Sequence, residues 1–240
     1  MKKLDIVEVD QWLITPYDHP FFRINKSTVI YTWITLAIVA ALLIILRYYL
    51  NKKDSTVRFV CLSFAQFFID LMEQSHSFTF NNFVFITTIF SFILACNLVS
   101  IIPWMEEPTT DVNTTLSLGL ASFLYTQTAE IQKNGLWRYL KGYFSPFFLL
   151  FPLNVVGHFA TIISISFRLF GNIFGGSIIS TIYFSAIQGN LTWELIGLIS
   201  GLNLTISLFF GIFEGCLQAF VFAMLAQTYL SIALQEEGGH

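Results

Sequence analysis

Arg168 is the residue whose surroundings suit it least. It stands in Ile162-Ile163-Ser164-Ile165-Ser166-Phe167-Arg168-Leu169-Phe170, roughly 14 residues after Asn154 and roughly 20 before a Gly189-Asn190 turn signal. At about 1.5 Å of rise per residue, its guanidinium does not easily snorkel to either end of an apolar span. A charge at that depth costs at least about 2.5–3.5 kcal/mol on insertion scales, so the residue is expected to be kept for function and stabilised by a partner. At about 100° per residue, Asn154, His158, Thr161, Arg168, Asn172 and Gly175 fall within roughly 100° of helical arc. Gly171, Gly175 and Gly176 lie on or beside this stripe and let another helix approach closely. Further along, Asn203, Ser207, Gly211, Glu214 and Gln218 recur at spacings of four, four, three and four, with directions spanning about 80°. Two facing helices with an Arg, a Glu, a His and several amides between them describe a path for protons or other ions. Glu214 is expected either to pair with Arg168 or to line a wet cavity, because an isolated carboxylate in lipid is costly. His158 reads equally as a hydrogen-bonded core histidine or as a proton carrier. No nucleophile–base–orienter spacing, phosphate loop or metal cluster accompanies these residues, so neither bond-making chemistry nor a cofactor or metal is expected.

The elements that carry them are membrane spans. The 240 residues are 55% hydrophobic, 17% aromatic and 11% charged, with 27 Phe and a net charge of -3. Soluble domains average about 25% charged residues, so this chain cannot coat a globule with polar side chains. That composition excludes a soluble enzyme, a disordered protein and a nucleic-acid binder. Cys61, Cys96 and Cys216 sit far apart in apolar runs and read as small buried hydrophobes.

Runs of about 20 apolar residues mark spans. The first is Thr28 to Leu50, and the second runs from about Phe83 to Ile102, stopping at Pro103. The third runs from about Leu116 to Ala129 and carries Thr126, Gln127 and Thr128. Two long helices follow, about Pro152 to Ile187 and Thr192 to Leu234. Each exceeds a perpendicular crossing, so they either tilt or leave the bilayer. Between the first two spans, Gln66, Asp70, Glu73 and His76 take one face, and Phe64, Phe67, Phe68 and Leu71 another. Phe59 to Ser77 therefore reads as an amphipathic helix at the cytoplasmic interface. Arg47, Lys52, Lys53 and Arg58 follow span one, and Lys133, Arg138 and Lys141 follow span three. The opposite loops hold Glu106, Glu107, Asp111 and Glu194 and no Lys or Arg. Positive residues favour the cytoplasm, so the N-terminus is expected outside and the C-terminus inside.

At Ser166-Phe167-Arg168-Leu169-Phe170-Gly171-Asn172 the chain resembles subunit a of F-type ATP synthases. Further matches are Gln218-Ala219-Phe220-Val221-Phe222 with Tyr229-Leu230, the loop Pro108-Thr109-Thr110-Asp111-Val112-Asn113-Thr114-Thr115, and Pro152-Leu153-Asn154. The likeness runs from about Thr28 to the C-terminus. It implies an all-α integral membrane protein of about five transmembrane helices plus the interfacial helix. The last two would be long and tilted, a hairpin against a ring of c subunits. It implies a proton-translocating stator with two half-channels leading to a ring carboxylate, and Arg168 as the charge gate between them. Asn172 and Gln218 match residues of the inlet half-channel and of the arginine's surroundings.

Departures from the family pattern are Ser177 where many members carry Glu or His, Gly211 where many carry an ionisable group, and Asn154 where relatives often have Glu. Glu214 and His158 are the available substitutes. The expected organisation is an extracytoplasmic tail (1–27), three spans with the interfacial helix (28–141), and a channel hairpin with its C-terminal tail (142–240). Expected partners are the c ring, peripheral-stalk b subunits, the catalytic head indirectly and the lipid bilayer, with no nucleic acid. The expected location is a bacterial inner membrane, with the mitochondrial inner membrane as the alternative. The competing functional reading is a secondary transporter using Arg168 to bind an anionic substrate.

Overall fold

The structure is a computed structural model and describes residues 11–13, 23–51, 56–75, 77–99, 107–143, 151–187, 192 and 201–235. Lys52, Lys53, His76, Pro103, Glu106, the Gly189-Asn190 turn and Glu194 lie outside the described residues.

A short antiparallel ribbon, β1 (Gln11–Leu13) with β2 (Arg23–Asn25), leads into helix α1 (Lys26–Leu50). Then come α2 (Thr56–Gln74), α3 (Phe80–Leu98), a single 3-10 turn (Pro108–Thr110), α4 (Val112–Asn134), α5 (Leu136–Tyr143) and α6 (Phe151–Ile187). The last helix, α7, spans Leu202–Leu234 and contains a π segment at Leu208–Phe213. Apart from the ribbon the described chain is helical, an all-α membrane protein. Lipid offers no hydrogen bonds to a bare backbone, so helices are the natural solution.

Four helices are long and apolar enough to cross a membrane: Ser27–Leu50, Phe80–Leu98, Phe151–Ile187 and Leu202–Leu234. The expected third span is α4. It is longer than the apolar run, because Asp111 caps its start by accepting from the Asn113 N–H at 2.9 Å. It stops at Gly135, whose φ of 78° an L side chain rarely adopts. Its polar residues Thr115, Ser122, Thr126 and Gln127 are buried against neighbouring helices, which explains why α4 is less apolar than those four and is not among them.

Helix directions alternate. Glycine contacts and hydrogen bonds make α4 antiparallel to α6, α6 to α7, and α3 to both α4 and α7. The basic residues Arg47, Lys133 and Arg138 therefore share one end of the bundle, and Glu107 and Asp111 the other. This is the arrangement that the charge pattern requires.

Polar groups and small residues hold the bundle together, as expected where lipid removes the hydrophobic drive for helices to associate. Gly119 of α4 lies against Ser166 of α6, and Gly215 of α7 against Asn97 of α3. The Tyr125 hydroxyl donates to Asn82 Oδ1 at 2.9 Å. Gln227 Nε2 donates to Ser75 Oγ and Ser77 Oγ at 2.8 and 3.0 Å, tying α7 to the turn before α3. Around these bonds one apolar core runs from Phe68 and Met72 through Ile93 and Leu169 to Phe222.

The amphipathic segment forms α2, but its aromatic face is not simply presented to lipid. Phe64 and Phe68 meet Phe90 of α3, with ring centroids 5.5 and 5.4 Å apart. Phe67 meets Phe220 of α7.

The final helix departs from expectation. One helix from Thr192 is predicted, yet Gly201 adopts φ 68° and α7 begins after it. Only glycine takes that left-handed conformation without strain, and Gly201 serves as the N-cap of α7.

Candidate functional site

The stripe of polar residues on α6 exists, but its members face three environments. At the first, Asn154, His158 and Thr161 line a cavity of about 650 Å³ between α4, α5, α6 and the end of α7. Ser122, Thr126 and Gln127 supply polar wall from α4, with Glu130 and Arg138 at the basic end of the bundle. The His158 ring stands edge-on to Phe123, with centroids 5.7 Å apart. The cavity reaches as deep as Ile165.

In the second environment, Asn172 Nδ2 donates to Gln218 Oε1 of α7 at 2.7 Å. Gln218 is fully buried, so this amide pair is a fixed strut between the two long helices. One end of the hairpin is tied in the same way, where the Tyr183 hydroxyl donates to Asn203 Oδ1 at 2.7 Å. Asn203, Glu214 and Gln218 thus all address α6, Glu214 and Gln218 as their spacing predicts and Asn203 from across the π segment.

The third environment is the open surface of α6. Arg168 is exposed there and makes no hydrogen bond or ion pair with any described residue. Ser164, Phe167 and Gly171 are exposed beside it. A Cβ on Gly157, Gly171 or Gly175 would meet no atom of the described residues within 4 Å, so this face carries small residues with nothing of the described chain above them. Gly176 differs, because its added Cβ would lie 2.9 Å from both Glu214 Oε2 and a Phe210 ring carbon. The glycine set therefore divides: Gly176 serves packing within the hairpin, and Gly171 and Gly175 remain open.

The expected pairing of Glu214 with Arg168 is not formed. Glu214 packs over Gly176, eight residues and about 12 Å of rise beyond Arg168. Its Oε2 is buried without a hydrogen-bond partner among the described residues. Ser177 also stands apart, exposed, with its hydroxyl donating to the Phe174 carbonyl at 2.9 Å. Asn172, Gln218 and Glu214 line neither of the two cavities described here.

The second cavity, about 310 Å³, opens at the acidic end of the bundle. Thr28 and Tyr31 of α1, Glu107, Thr110 and Asp111 line it, and its floor includes Phe170 and Phe174 of α6. The two cavities thus come to α6 from opposite ends, one to three residues before Arg168 and the other to two residues after it. Sequence reading misses this second cavity, whose acidic residues register there only as loop charges. It also misses Asn97, although a lone amide inside an apolar span is a legible signal.

Fold and site together define a polytopic helical membrane protein that offers a cation, without a partner among the described residues, on the outer face of a long antiparallel helix pair. A family model described as ATP synthase A chain matches residues 29–231. The chain belongs to that family. It is 33% identical to ATP synthase subunit a of Moorella thermoacetica over 206 residues, covering 85% of this chain and 89% of the relative. With ATP synthase subunit a of Desulforamulus reducens it shares 31% identity over 255 residues, covering 99% and 94%. A third relative, named ATP synthase subunit a, sodium ion specific, from Propionigenium modestum, is 34% identical over 163 residues, 62% of this chain and 53% of the relative. Family, relatives and apolar helices make this a multi-pass bacterial membrane protein of the F-type ATP synthase membrane sector.

Proposed function

We propose that the chain is the proton-translocating stator of a rotary ATP synthase, with Arg168 as the charge gate between two half-channels. The observation that carries this reading is Arg168 itself: exposed on a membrane-spanning helix, unpartnered within the described chain, and flanked by cavities from opposite ends. Such a charge needs an anion, the described residues supply none, and the small open residues around it leave room for helices to pass closely. A c-ring carboxylate is that anion.

A protonated ring carboxyl arriving beside Arg168 meets a guanidinium. An opposite charge within about 4–6 Å lowers a carboxyl pKa by about 1–3 units, so the acid releases its proton to water in the adjoining cavity. The resulting carboxylate slides past the arginine and takes a proton on the far side. The positive guanidinium also repels free protons and prevents a direct leak.

His158 and Asn154 serve the outlet through the cavity of about 650 Å³, at the basic, cytoplasmic end. Asn172, Gln218 and Glu214 form the inlet side, with Glu214 replacing the ionisable group absent at Gly211. Ser177 contributes an exposed hydroxyl on the side of α6 opposite Arg168, nine residues further along the helix. Residues 1–27 form the extracytoplasmic tail, 28–141 the supporting spans and 142–240 the channel hairpin. Peripheral-stalk b subunits hold the stator still, and ATP is made in the catalytic head. This chain itself makes no covalent bond.

ATP-driven acidification of inverted membrane vesicles, native chain against Arg168→Ala, is the deciding experiment. Two further results follow from the assigned roles. Glu214→Gln lowers the pumping rate at least about tenfold, the low end for losing a proton-transfer group. Native rates with Glu214→Gln would remove Glu214 from the path. A cysteine introduced by His158→Cys reacts with a membrane-impermeant thiol reagent added from the cytoplasmic side. Labelling from the opposite side alone would invert the assignment of the cavity.

A further inference from the structure

Near the end of α3, Asn97 is completely buried in an otherwise apolar stretch. Its Nδ2 donates to the Gly215 carbonyl of α7 at 2.9 Å. Its Oδ1 accepts from the Thr109 hydroxyl at 2.8 Å. Thr109 is equally buried and belongs to the 3-10 turn at the acidic end. A Cβ on Gly215 would stand 3.0 Å from Asn97 Cβ, so α3 rests directly on bare α7 backbone. The amide orientation is forced, since only Nδ2 can donate to a carbonyl and Oδ1 must then face the hydroxyl.

The place of this contact along α7 matters. Gly215 follows Glu214 directly and precedes Gln218 by three residues, and the π segment Leu208–Phe213 lies just upstream. A π turn holds an extra residue. Moving it by one position would rotate the intervening side chain by about 100°. A fixed point immediately after it selects one phase. In that phase Glu214 lies over Gly176 and Gln218 meets Asn172.

We infer that Thr109 and Asn97 form a positioning clamp, running from the turn hydroxyl through the buried amide to the Gly215 carbonyl, that sets the rotational register of α7 at Glu214 and Gln218. The clamp couples the turn at the acidic end to the groups of the inlet side. Its effect on transport rests on the reading of Glu214 given above, whereas its effect on register does not.

The test uses the assembled complex in membranes with the three native cysteines replaced. Two cysteine pairs report on the hairpin through a short bifunctional thiol reagent. Asn172→Cys with Gln218→Cys lies beyond the π segment, and Tyr183→Cys with Asn203→Cys lies before it. Thr109→Val lowers cross-linking of the first pair by about fivefold, the population shift expected from losing one buried hydrogen bond, and leaves the second pair unchanged. Thr109→Ser keeps the hydroxyl and restores native cross-linking. With native cysteines, Thr109→Val also moves the pH profile of ATP-driven acidification, and Thr109→Ser returns it. Unchanged cross-linking of the first pair in Thr109→Val overturns the clamp, whatever Glu214→Gln does. Altered cross-linking with an unmoved pH profile keeps the clamp and refutes the role of Glu214. If Thr109→Val does not assemble, Thr109→Ala is read by the same criteria.

Discussion

Inverted vesicles carrying Arg168→Ala show no ATP-driven acidification, while the complex assembles and still hydrolyses ATP. Both halves of this expectation come from the position of the side chain. Arg168 is exposed on α6 and pairs with no described residue, so truncating it orphans no group among the described residues and opens no cavity in their core. Leu169 and Ser166, which do pack inward, are untouched. Transport depends on the guanidinium acting on a carboxyl brought from outside. Removing an opposite charge at about 4–6 Å returns about 1–3 pKa units to that carboxyl, a fall of about 10- to 1,000-fold in its ionised fraction when it is largely protonated. In the ATP-driven direction, release on the far, extracytoplasmic side of the arginine slows by the same factor. Arg168→Lys keeps the charge but replaces the planar fork with a compact, strongly hydrated ammonium, and retains only part of the rate. Pumping at native rates in Arg168→Ala would make Arg168 a structural residue and end the gate mechanism for this chain.

The second large effect concerns assembly. Gly119→Leu sharply reduces the amount of this chain found in the assembled complex and lowers the temperature at which it dissociates. A single Cβ at position 119 would run into Ser166 Oγ and stand 3.3 Å from the Ile162 carbonyl. A hydroxyl can rotate away, but the carbonyl belongs to the backbone of α6. A leucine must therefore push α4 and α6 apart, and overpacking of this kind costs about 1–3 kcal/mol or more. The same pair of helices walls the cavity that holds His158 and Asn154, so the damage reaches the outlet. Gly119→Ala isolates the steric cause. It is mildly destabilising alone and is rescued by Ser166→Ala, which removes the obstructing oxygen. That oxygen is buried without a hydrogen-bond partner among the described residues, so its loss costs little. Absence of rescue in the double variant, measured as a cycle, would place the strain elsewhere.

The spans were legible in the sequence because lipid tolerates few side-chain types and few backbone conformations. The ends of α1, α3 and α6 fall within a few residues of the apolar runs that announce them. Glu214 and Gln218 share the face that their spacing requires, because helical period is a local property; Asn203 lies across the π segment, and its meeting with Tyr183 is a result of packing. Gly201 and the π segment were not anticipated. Both are backbone choices that a neighbour can impose, and hydrophobic pattern does not encode them.

The sequence by itself determined that this is a helical membrane protein, which end of the bundle is basic, and that a lone arginine sits deep in a span beside glycines. These follow from the price of charge in lipid and from periodicity along one helix. Tertiary structure alone decided what each polar group meets. Asn154 and His158, Asn172, and Arg168 share a stripe on α6, yet one pair faces a cavity, one faces α7 and one faces outward. Glu214 lies over Gly176 rather than beside Arg168 because α6 and α7 run antiparallel at a register fixed by side chains far apart in sequence. A helical stripe specifies a direction around its own axis. Which neighbour stands in that direction depends on how all the helices pack.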